Sequence, residues 1–442
     1  MKNNRDSIVY KTDSYKVSHW LQFPPKTESS FYYIESRGGA EDLMFFGLQA
    51  IIKKLLNKLP TISEVKKAAK FWDDHGIPYF NTEGWLNLIE LGFYPVKIRA
   101  VREGGIYKTK TVLVTIESTV DGYEWLPGWL ETRLLQVWYP ITVASKIHKC
   151  KKVIYEYLVK TGTPEDIDFK LHSFGYRGVS SEESAEMGGM AELVSFKGTD
   201  TIVGVLGAQD YYNTKDMVGF SIPAAEHSTI TAWGKEFEFD AYRNMLDKFA
   251  YPGKALAVVS DSYNLSNAVV EGWCGELKDL VIESGCILVV RPDSGEPSEV
   301  VLRTLNELAR GYGTTMNSKG FSVLNGVRII QGDSIDGPES IQKIYDVLFK
   351  NGWSGDNIAF GMGGGSLQQV NRDNLKFAMK CSAVKVDGIW KDVFKYPFDA
   401  PWKASRGGRL DNSDLDDIWV EGKFVKEYTF NEIRKIAKEY FI

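Results

Sequence analysis

Cysteine is scarce in this sequence, and the cysteines present are scattered. The four of them form no CxxC pair and lie far apart in the chain, at Cys150, Cys274, Cys286 and Cys381. Because structural zinc sites and redox dithiols use closely spaced cysteines, the sequence predicts neither. This usage fits a reducing compartment, and the first ten residues, MKNNRDSIVY, contain no apolar stretch of signal-peptide length. We therefore expect a cytoplasmic protein.

Long hydrophobic runs and a strong net charge are also missing. No stretch approaches the roughly 18 apolar residues that a membrane-spanning helix requires, so the sequence predicts no membrane segment. A formal net charge of −5 argues against a general nucleic-acid-binding protein. Any anionic ligand must therefore be bound by local basic residues. The length of 442 residues allows two or three domains.

The sequence pattern divides the chain into three segments. Residues 1–162 combine short alternating runs with helical stretches, and 96–118 predicts two strands joined around Gly104. Residues 163–374 predict an α/β barrel-like catalytic domain. Residues 375–442 are rich in lysine, arginine, glycine and aromatic residues, and they predict strands and loops that return to the first segment.

In the middle segment, a short apolar run repeatedly ends in a polar or glycine-rich loop. The loops follow one another at roughly 30 residues, the length of a βα unit. One residue from each loop identifies the series: Phe174, Asp200, His227, Asp261, Asp293, Asp333 and Gly364. Repeated βα units predict a parallel sheet, and seven of them predict a closed or nearly closed barrel. Because the loops after barrel strands carry the active site, we expect these residues at one rim.

A glycine-rich loop near the end of the series favours phosphate binding. The sequence GMGGGS (361–366) lets backbone N–H groups approach a phosphate closely, because few side chains intervene. The next residues, 367–380, predict a helix whose N-terminus would add a positive dipole. The loop matches neither the dinucleotide-binding motif nor the P-loop motif, so by itself it is a weak signal. The basic residues beyond it could equally be solvated surface charges.

Carboxylates and one histidine complete the expected rim. Asp293 and Asp333 could bind ribose hydroxyls or, through water, a magnesium ion. Asp261 could orient the imidazole of His227, since a carboxylate commonly fixes a histidine tautomer. A single aspartate after a strand is often only a helix N-cap, and a lone histidine is often only structural. The whole set together points to phosphorylated-sugar chemistry.

Many short stretches also occur in the order of a known family. From about residue 10 to the C-terminus they are TDSYKVSHW, FGLQ, WYPITVA, KLHSFGYRGVSS, FKGTDT, PAAEHSTITAWGK, VVSDSYN, RPDSG, IQGDSID, AFGMGGG and GRL. Together they resemble the nicotinamide phosphoribosyltransferases, which are type II phosphoribosyltransferases related to the nicotinate phosphoribosyltransferases. The resemblance implies an irregular βα barrel with a flanking β-rich α+β domain.

The resemblance also implies an activity. The phosphoribosyl group of phosphoribosyl pyrophosphate would pass to nicotinamide, giving nicotinamide mononucleotide and pyrophosphate in NAD salvage. Mg²⁺ would be held mainly by pyrophosphate and water, and ATP hydrolysis would assist through a phosphohistidine. The protein would be a homodimer with shared active sites, and neither nucleic acid nor membrane would be a partner.

Individual residues take roles by the same resemblance. His227 would be phosphorylated, Asp261 would orient it, and Asp293 would hold the ribose. Phe174 and, from the other protomer, Tyr15 would enclose the pyridine ring.

Further contacts would bind the carboxamide, the ribose and the phosphates. Asp200 would accept the carboxamide N–H, and Arg177 and Arg291 would lie near nicotinamide and the phosphates. The ribose and its 5′-phosphate would contact Gly332, Asp333, Gly363 and Gly364. Pyrophosphate or ATP would be clamped by Arg37, Arg372, Lys380, Lys395 and Lys403.

Three alternatives to this activity stay open. A nicotinate phosphoribosyltransferase would share the fold, but it should present a neutral or basic group where Asp200 stands. A binding or signalling homologue would have lost catalysis. An unrelated barrel phosphohydrolase should show a clearer metal cluster of histidine and aspartate.

Overall fold

The structure is a computed structural model that describes residues 6–399, 404–410 and 412–441. The chain forms two compact units. The terminal unit comprises Met1–Ser145, Gly207–Thr214 and Asn371–Ile442, and the barrel unit comprises Lys146–Leu206 and Lys215–Val370. The first boundary between the two units lies between Ser145 and Lys146, inside the helix Trp138–Thr161. The sequence pattern had placed this boundary after residue 162.

A seven-stranded sheet forms the centre of the terminal unit, in the order β15-β14-β1-β5-β3-β16-β17. The strands are β1 (Thr27–Ser36), β3 (Val96–Ala100), β5 (Val112–Ser118), β14 (Phe377–Val386), β15 (Ile389–Asp392), β16 (Asp416–Val420) and β17 (Lys423–Phe424). β1 pairs antiparallel with both β5 and β14, so strands from both ends of the chain share one sheet. A separate pair joins β2 (Asp42–Met44) to β4 (Ile106–Lys108).

Alternating burial shows why these segments are strands. In β3, Val96, Ile98 and Ala100 are buried, while Lys97 and Arg99 between them are partly exposed. β3 and β5 pair antiparallel, as the pattern of 96–118 predicted, and β4 lies between them in the chain. The helices of this unit include α1 (Leu48–Leu55), α2 (Ile62–Asp74), α3 (Thr82–Leu91), α4 (Leu126–Leu134) and α15 (Phe430–Glu439).

One helix prediction in this part of the chain is wrong. The sequence 367–380 predicts a continuous helix, but the structure has only a four-residue helix, Gly364–Leu367, before a 3₁₀ turn and β14. Phe377 and Met379 are buried on one face of β14, which pairs along its whole length with β1. Strand pairing therefore overrides local helix propensity here.

The barrel unit contains a six-stranded parallel sheet in the order β7-β6-β13-β12-β9-β8. Its strands are β6 (Leu171–Ser173), β7 (Gly198–Thr199), β8 (Ala255–Val259), β9 (Ile287–Arg291), β12 (Val327–Gln331) and β13 (Ile358–Met362). β8, β9, β12 and β13 are short, mainly apolar runs with buried interiors, as expected for a parallel sheet covered on both faces, whereas β6 and β7 are shorter and partly polar. A small hairpin pairs β10 (Thr314–Met316) with β11 (Ser322–Leu324).

The segment 220–225 connects the two edges of this sheet. The Thr199 N–H donates to the Phe220 carbonyl at 2.8 Å on the β7 side. On the β8 side, the Ala225 N–H donates to the Ala257 carbonyl at 3.0 Å. The run FSIPAAEHST therefore makes isolated bridges to both edges rather than the full strand that its apolar pattern predicts. The sheet curls into an irregular barrel, and the predicted fold class is confirmed.

Ten α-helices of the described chain lie wholly or, for α5 and α7, partly in the barrel unit. They are α5 (Trp138–Thr161), α6 (Glu182–Leu193), α7 (Ile202–Tyr211), α8 (His227–Thr231), α9 (Glu238–Phe249), α10 (Leu265–Asn267) with a π-helix (Ala268–Glu276), α11 (Lys278–Ser284), α12 (Pro297–Tyr312), α13 (Pro338–Lys350) and α14 (Gly364–Leu367). α12 and α13 begin at prolines, which are suited to a first helical turn. Within the described ranges, no helix is long and apolar enough to span a membrane.

Candidate active site

A pocket of the barrel unit contains six of the residues that the sequence analysis selected. Its volume is about 410 Å³, and its lining includes Phe174, Arg177, Gly332, Asp333, Gly363 and Gly364. These residues follow β6, β12 and β13, three adjacent parallel strands. Parallel strands end at the same edge of a sheet, so the loops after them meet there.

The ring of Phe174 forms a platform beside this pocket. A Cβ atom at Gly361 would lie 2.1 Å from the ring, and one at Gly332 would lie 2.8 Å from it. Only glycine at these two positions leaves room for the ring. The guanidinium carbon of Arg291 lies 5.3 Å from the ring centroid, within cation–π distance. The platform is therefore fixed by close packing and by one cation.

The glycine loop forms another wall of the pocket. A Cβ atom at Gly365 would lie 2.5 Å from the Ile335 carbonyl oxygen, so the loop packs too tightly for a side chain there. Lys146 donates to the Gly365 carbonyl at 2.6 Å, and the Phe174 N–H donates to the Met362 carbonyl at 3.2 Å. A loop held in this way presents backbone N–H groups without intervening side chains, which suits a phosphate.

His227 lies at the start of α8 and faces two carboxylates. Its Nε2 is 3.4 Å from Asp293 Oδ2 and 3.7 Å from Asp261 Oδ1. Its Nδ1 is 3.0 Å from the hydroxyl of Ser262. The imidazole side chain is 45% exposed, so a ligand can reach it. The structure thus brings the three residues predicted to be catalytic into one cluster.

This cluster continues to the ring platform through Arg291. The guanidinium Nη2 of Arg291 lies 2.8 Å from Asp293 Oδ1, and its carbon lies near the Phe174 ring. Asp261 is only 3% exposed, and its Oδ2 accepts the Asp293 N–H at 2.9 Å and the Ser294 hydroxyl at 2.6 Å. The buried aspartate therefore fixes the loop that carries Asp293.

Asp200 has two hydrogen-bond partners in the barrel unit. Its Oδ1 lies 3.1 Å from His172 Nε2 and accepts the Ser221 hydroxyl at 2.5 Å. Burial raises the pKa of Asp200, but these hydrogen bonds and the charge of Arg291 outweigh burial and hold the pKa below its ordinary value. The side chain is 47% exposed. At neutral pH, Asp200 is thus an ionised acceptor that a ligand can contact.

The remaining predicted site residues that the structure describes lie in the terminal unit. Tyr15 is 61% exposed, and its ring centroid lies 5.2 Å from that of His19. Lys403 lies outside the described residues. Arg372 is exposed and lies 3.7 Å from Asp373.

Three of the predicted phosphate-binding cations of the terminal unit lie near one another. Burial lowers the pKa of Lys380, and the charges of Arg37 and Lys395 contribute in the same direction. Arg37 lies 3.5 Å from Glu35, which also pairs with Arg406 at 3.3 Å. Glu35 is thus shared by two arginines, and the charge of Glu131 opposes the lowered pKa of Lys380, so these carboxylates neutralise the cations only in part. The positive charge that is left favours a polyanionic ligand such as pyrophosphate.

Comparison with known proteins places this geometry in a family. Residues 169–427 match the model of the nicotinate phosphoribosyltransferase (NAPRTase) family. The chain belongs to the nicotinate phosphoribosyltransferase family. Residues 7–98 also match the model described as the N-terminal domain of nicotinamide phosphoribosyltransferase.

Relatives and solved structures agree with this family. A Xanthomonas campestris protein named nicotinamide phosphoribosyltransferase is 47% identical, with 98% of each chain covered. A Mycoplasma pneumoniae protein of the same name is 31% identical, with 92% of this chain and 96% of the relative covered. The solved nicotinate-nucleotide pyrophosphorylase of Pyrococcus furiosus has a TM-score of 0.60 at 18% identity, covering 99% and 96% of the two chains. Human nicotinic acid phosphoribosyltransferase has a TM-score of 0.59 at 14% identity, covering 97% and 93%. At such identities, the two structures show the fold alone.

In the part of the chain that the structure describes, the candidate site contains no preformed set of protein ligands for a metal ion. There, no group of three or more histidine, cysteine or acidic residues is arranged to hold a metal ion. Mg²⁺ that accompanies phosphates commonly needs only one or two carboxylates, together with phosphate oxygens and water. Asp333 and Asp336 line the pocket and could supply them.

Sequence reasoning missed several polar contacts of this site. His172 and Ser221 bind Asp200, and Ser262 binds His227. A signal for Ser262 was present, because it adjoins Asp261 after β8. His172 lies in β6 and Ser221 in the segment 220–225, and no local pattern links either of them to Asp200.

Proposed function

We infer that the chain transfers the phosphoribosyl group of phosphoribosyl pyrophosphate to nicotinamide, giving nicotinamide mononucleotide and pyrophosphate in NAD salvage. The preference for nicotinamide over nicotinate is inferred from one observation, the ionised Asp200 carboxylate with its two partners, His172 and Ser221. A carboxylate accepts the N–H of a carboxamide and repels the carboxylate of nicotinate. The nicotinamide phosphoribosyltransferase names of the full-length relatives support the same choice.

The reaction needs no general base, so the site must supply binding and charge stabilisation rather than proton removal. The pyridine nitrogen already carries a free lone pair, so the protein must stabilise a cationic sugar and a departing pyrophosphate. The Phe174 ring would support the pyridine, since a cationic product suits an aromatic face. Arg291 and the glycine loop would bind phosphate oxygens. Mg²⁺, when bound with pyrophosphate and water, would neutralise charge on the leaving group.

We also propose that ATP assists through phosphorylation of His227. Phosphoryl transfer would form a bond between an imidazole nitrogen and the γ-phosphorus and would break the bond to ADP. The imidazole proton would pass to a neighbouring carboxylate, for which Asp293 is the nearer candidate at 3.4 Å. Nδ1 would then be the nitrogen that bonds to phosphorus, and the Ser262 hydroxyl would orient it before the transfer.

A homodimer with shared active sites and a cytoplasmic location complete the proposal. The exposed ring of Tyr15 supports the dimer, because a large aromatic side chain in solvent favours a contact with another molecule. The scattered, unpaired cysteines support a reducing compartment.

One assay tests the main reaction. Purified protein is incubated with Mg²⁺ and phosphoribosyl pyrophosphate, with either nicotinamide or nicotinate, and with or without ATP. We expect nicotinamide mononucleotide as the main product and a faster reaction with ATP. Preferential use of nicotinate would establish the alternative enzyme, and no product with either base would favour a binding homologue.

A further inference from the structure

Glu192 is a buried carboxyl group that the proposed reaction does not use. It lies near the end of α6 and is only 2% exposed. Among the described residues, neither of its carboxylate oxygens has a hydrogen bond of normal geometry. An ionised carboxylate without a partner is costly in a protein interior, so such a group is expected to hold its proton or to serve a function.

Two buried serines lie next to this carboxyl group, and each adjoins in sequence a residue that lines the pocket. Ser173 immediately precedes Phe174, and Ser366 is the last residue of the glycine loop, directly after Gly365. The Ser366 hydroxyl donates to the Gly363 carbonyl at 3.1 Å, and the Ser173 hydroxyl lies 3.0 Å from that of Thr201. The hydroxyl proton of Ser366 is thus already used in a hydrogen bond. Its oxygen can accept a hydrogen bond, which protonated Glu192 can donate.

Near neutral pH, Glu192 is present in both its protonated and its ionised form. Burial raises the pKa of Glu192 to about 7, and the neighbouring serine hydroxyls oppose this shift. Among the described residues, no charged side chain contributes to it.

The charged groups on the elements packed around Glu192 have other partners. Lys146 of α5 donates to the Gly365 carbonyl, Arg177 lies 3.7 Å from Glu226, and Asp200 binds His172. The nearby titratable group is Cys150 of α5, whose pKa burial raises to about 12. The thiol therefore stays neutral over the range in which Glu192 titrates.

We propose that protonated Glu192 is a positioning residue for the phosphoribosyl substrate, and that binding of this substrate is coupled to uptake of a proton by Glu192. The protonated carboxyl donates to Ser366, Ser366 holds the Gly363 carbonyl, and the glycine loop keeps the shape that receives the 5′-phosphate. A bound phosphate adds negative charge nearby, which further disfavours ionised Glu192. Ionised Glu192 would instead draw the Ser366 hydroxyl to itself and release the loop.

This inference rests on the proposed function, and binding of phosphoribosyl pyrophosphate without nicotinamide or ATP tests it. Affinity and proton uptake are measured by calorimetry with Mg²⁺, in buffers of different ionisation enthalpy, between about pH 6.5 and 8.5. Glu192→Gln keeps the shape and donates to Ser366 but cannot ionise. Glu182→Gln is the matched control, because Glu182 is an exposed glutamate at the start of the same helix.

The wild type and Glu182→Gln should lose up to about tenfold more affinity across this range than Glu192→Gln does. They should also take up more protons on binding than Glu192→Gln does. The substrate phosphates titrate equally in all of these proteins, so subtracting the proton uptake of Glu192→Gln from that of the wild type removes their contribution. Glu192→Ala, which cannot donate, should bind more weakly at every pH. Equal pH dependence and proton uptake in the wild type and a folded Glu192→Gln would overturn the inference.

Failure of the proposed function gives a different result. If the wild type does not bind phosphoribosyl pyrophosphate at all, the proposed function fails and this inference fails with it. If the wild type binds it but uses nicotinate rather than nicotinamide, the choice of base fails, whereas the role of Glu192 is still decided by the binding data. If Glu192→Gln unfolds, Ser366→Ala takes its place, and wild-type affinity in that variant would overturn the inference.

Discussion

The Asp261 carboxylate accepts the backbone N–H of Asp293 at 2.9 Å, while its second oxygen lies 3.7 Å from His227 Nε2. A single buried carboxylate therefore positions both the histidine and the loop that carries the other carboxylate. Its two tasks can be separated, because the hydrogen bond needs only an acceptor oxygen, whereas the contact with the imidazole depends on charge.

Asp261→Asn and Asp261→Ala should therefore differ. The asparagine variant keeps an acceptor for the Asp293 N–H and should stay close to wild-type stability, with reduced stimulation by ATP. The alanine variant leaves that N–H unsatisfied and should lose about 1–3 kcal/mol of unfolding free energy as well. Urea unfolding and ATP-dependent rates check this, with the exposed Asp247→Asn as a control. Equal stability losses in both variants would contradict the separation.

Asp200 should set the choice of base. Asp200→Asn removes the charge but keeps a polar side chain of the same size, so the preference for nicotinamide over nicotinate should narrow. A hydrogen bond to a charged group contributes about 1.5–3 kcal/mol, which corresponds to roughly ten- to a hundredfold in the ratio of kcat/KM values. The same ratio in Asp247→Asn should match the wild type. Unchanged discrimination in Asp200→Asn would refute the assignment.

His227 should carry a labile phosphate during turnover. Incubation with γ-labelled ATP should label the protein in an acid-labile, base-stable form, as a phosphoramidate requires. His227→Ala should abolish both the label and the stimulation by ATP, while some synthesis persists because the sugar chemistry needs no base. Ser262→Ala should be labelled more slowly, since it loses the contact at Nδ1. Equal labelling of the wild type and His227→Ala would exclude this site.

Glu192 should make the stability of the wild type depend on pH. Burial raises its pKa from the ordinary 4.5 to about 7 in the folded state. A raised pKa means that the folded state disfavours the ionised form. The cost is therefore absent below about pH 4.5, grows up to about pH 7, and is complete above that, at up to about 3 kcal/mol.

Glu192→Gln should accordingly be more stable than the wild type at about pH 8, and this advantage should disappear near pH 4.5. Chemical denaturation at both pH values measures it, and Glu182→Gln should show no such gain because Glu182 is exposed. A gain that is the same at both pH values would mean that the substitution acts through packing rather than charge.

The sequence predicted the barrel because most of its strands are short apolar runs followed by polar or glycine residues. That pattern indicates where loops meet, and it identified four residues of one pocket, Phe174, Asp333, Gly363 and Gly364, whereas Arg177 and Gly332 came only from the family resemblance. It failed at 220–225 because an apolar run can make isolated bridges as readily as a strand. It also failed at 367–380, where pairing with β1 decided the structure.

Glu192 shows why part of the site stayed hidden. Local sequence offers no reason to treat it differently from the exposed Glu182 at the start of the same helix. α6 is buried around its C-terminal half, and only the fold reveals that Glu192 points inward, beside Ser173 and Ser366. Contacts between side chains from separate segments, such as His172 of β6 with Asp200, leave no periodic signal either.

Tyr15 should act across a dimer interface. Its ring is exposed within its own unit, and the proposal assigns it to the nicotinamide site of the other protomer. Tyr15→Ala and His227→Ala homodimers should each lose ATP-stimulated activity. When equal amounts exchange subunits, about half of the dimers are mixed, and each mixed dimer has one intact site. That site combines the barrel of the Tyr15→Ala chain with Tyr15 of the other chain.

Because a two-fold interface creates two equivalent sites, the exchanged mixture should recover about a quarter of wild-type ATP-stimulated activity. Subunit exchange is verified with differently tagged chains, and mixing Tyr15→Ala with the double variant Tyr15→Ala/His227→Ala provides the control. That control has no intact Tyr15 and should recover nothing beyond the residual activity of Tyr15→Ala. If verified exchange restores no activity in the test mixture, Tyr15 acts within its own chain or has no part in the site.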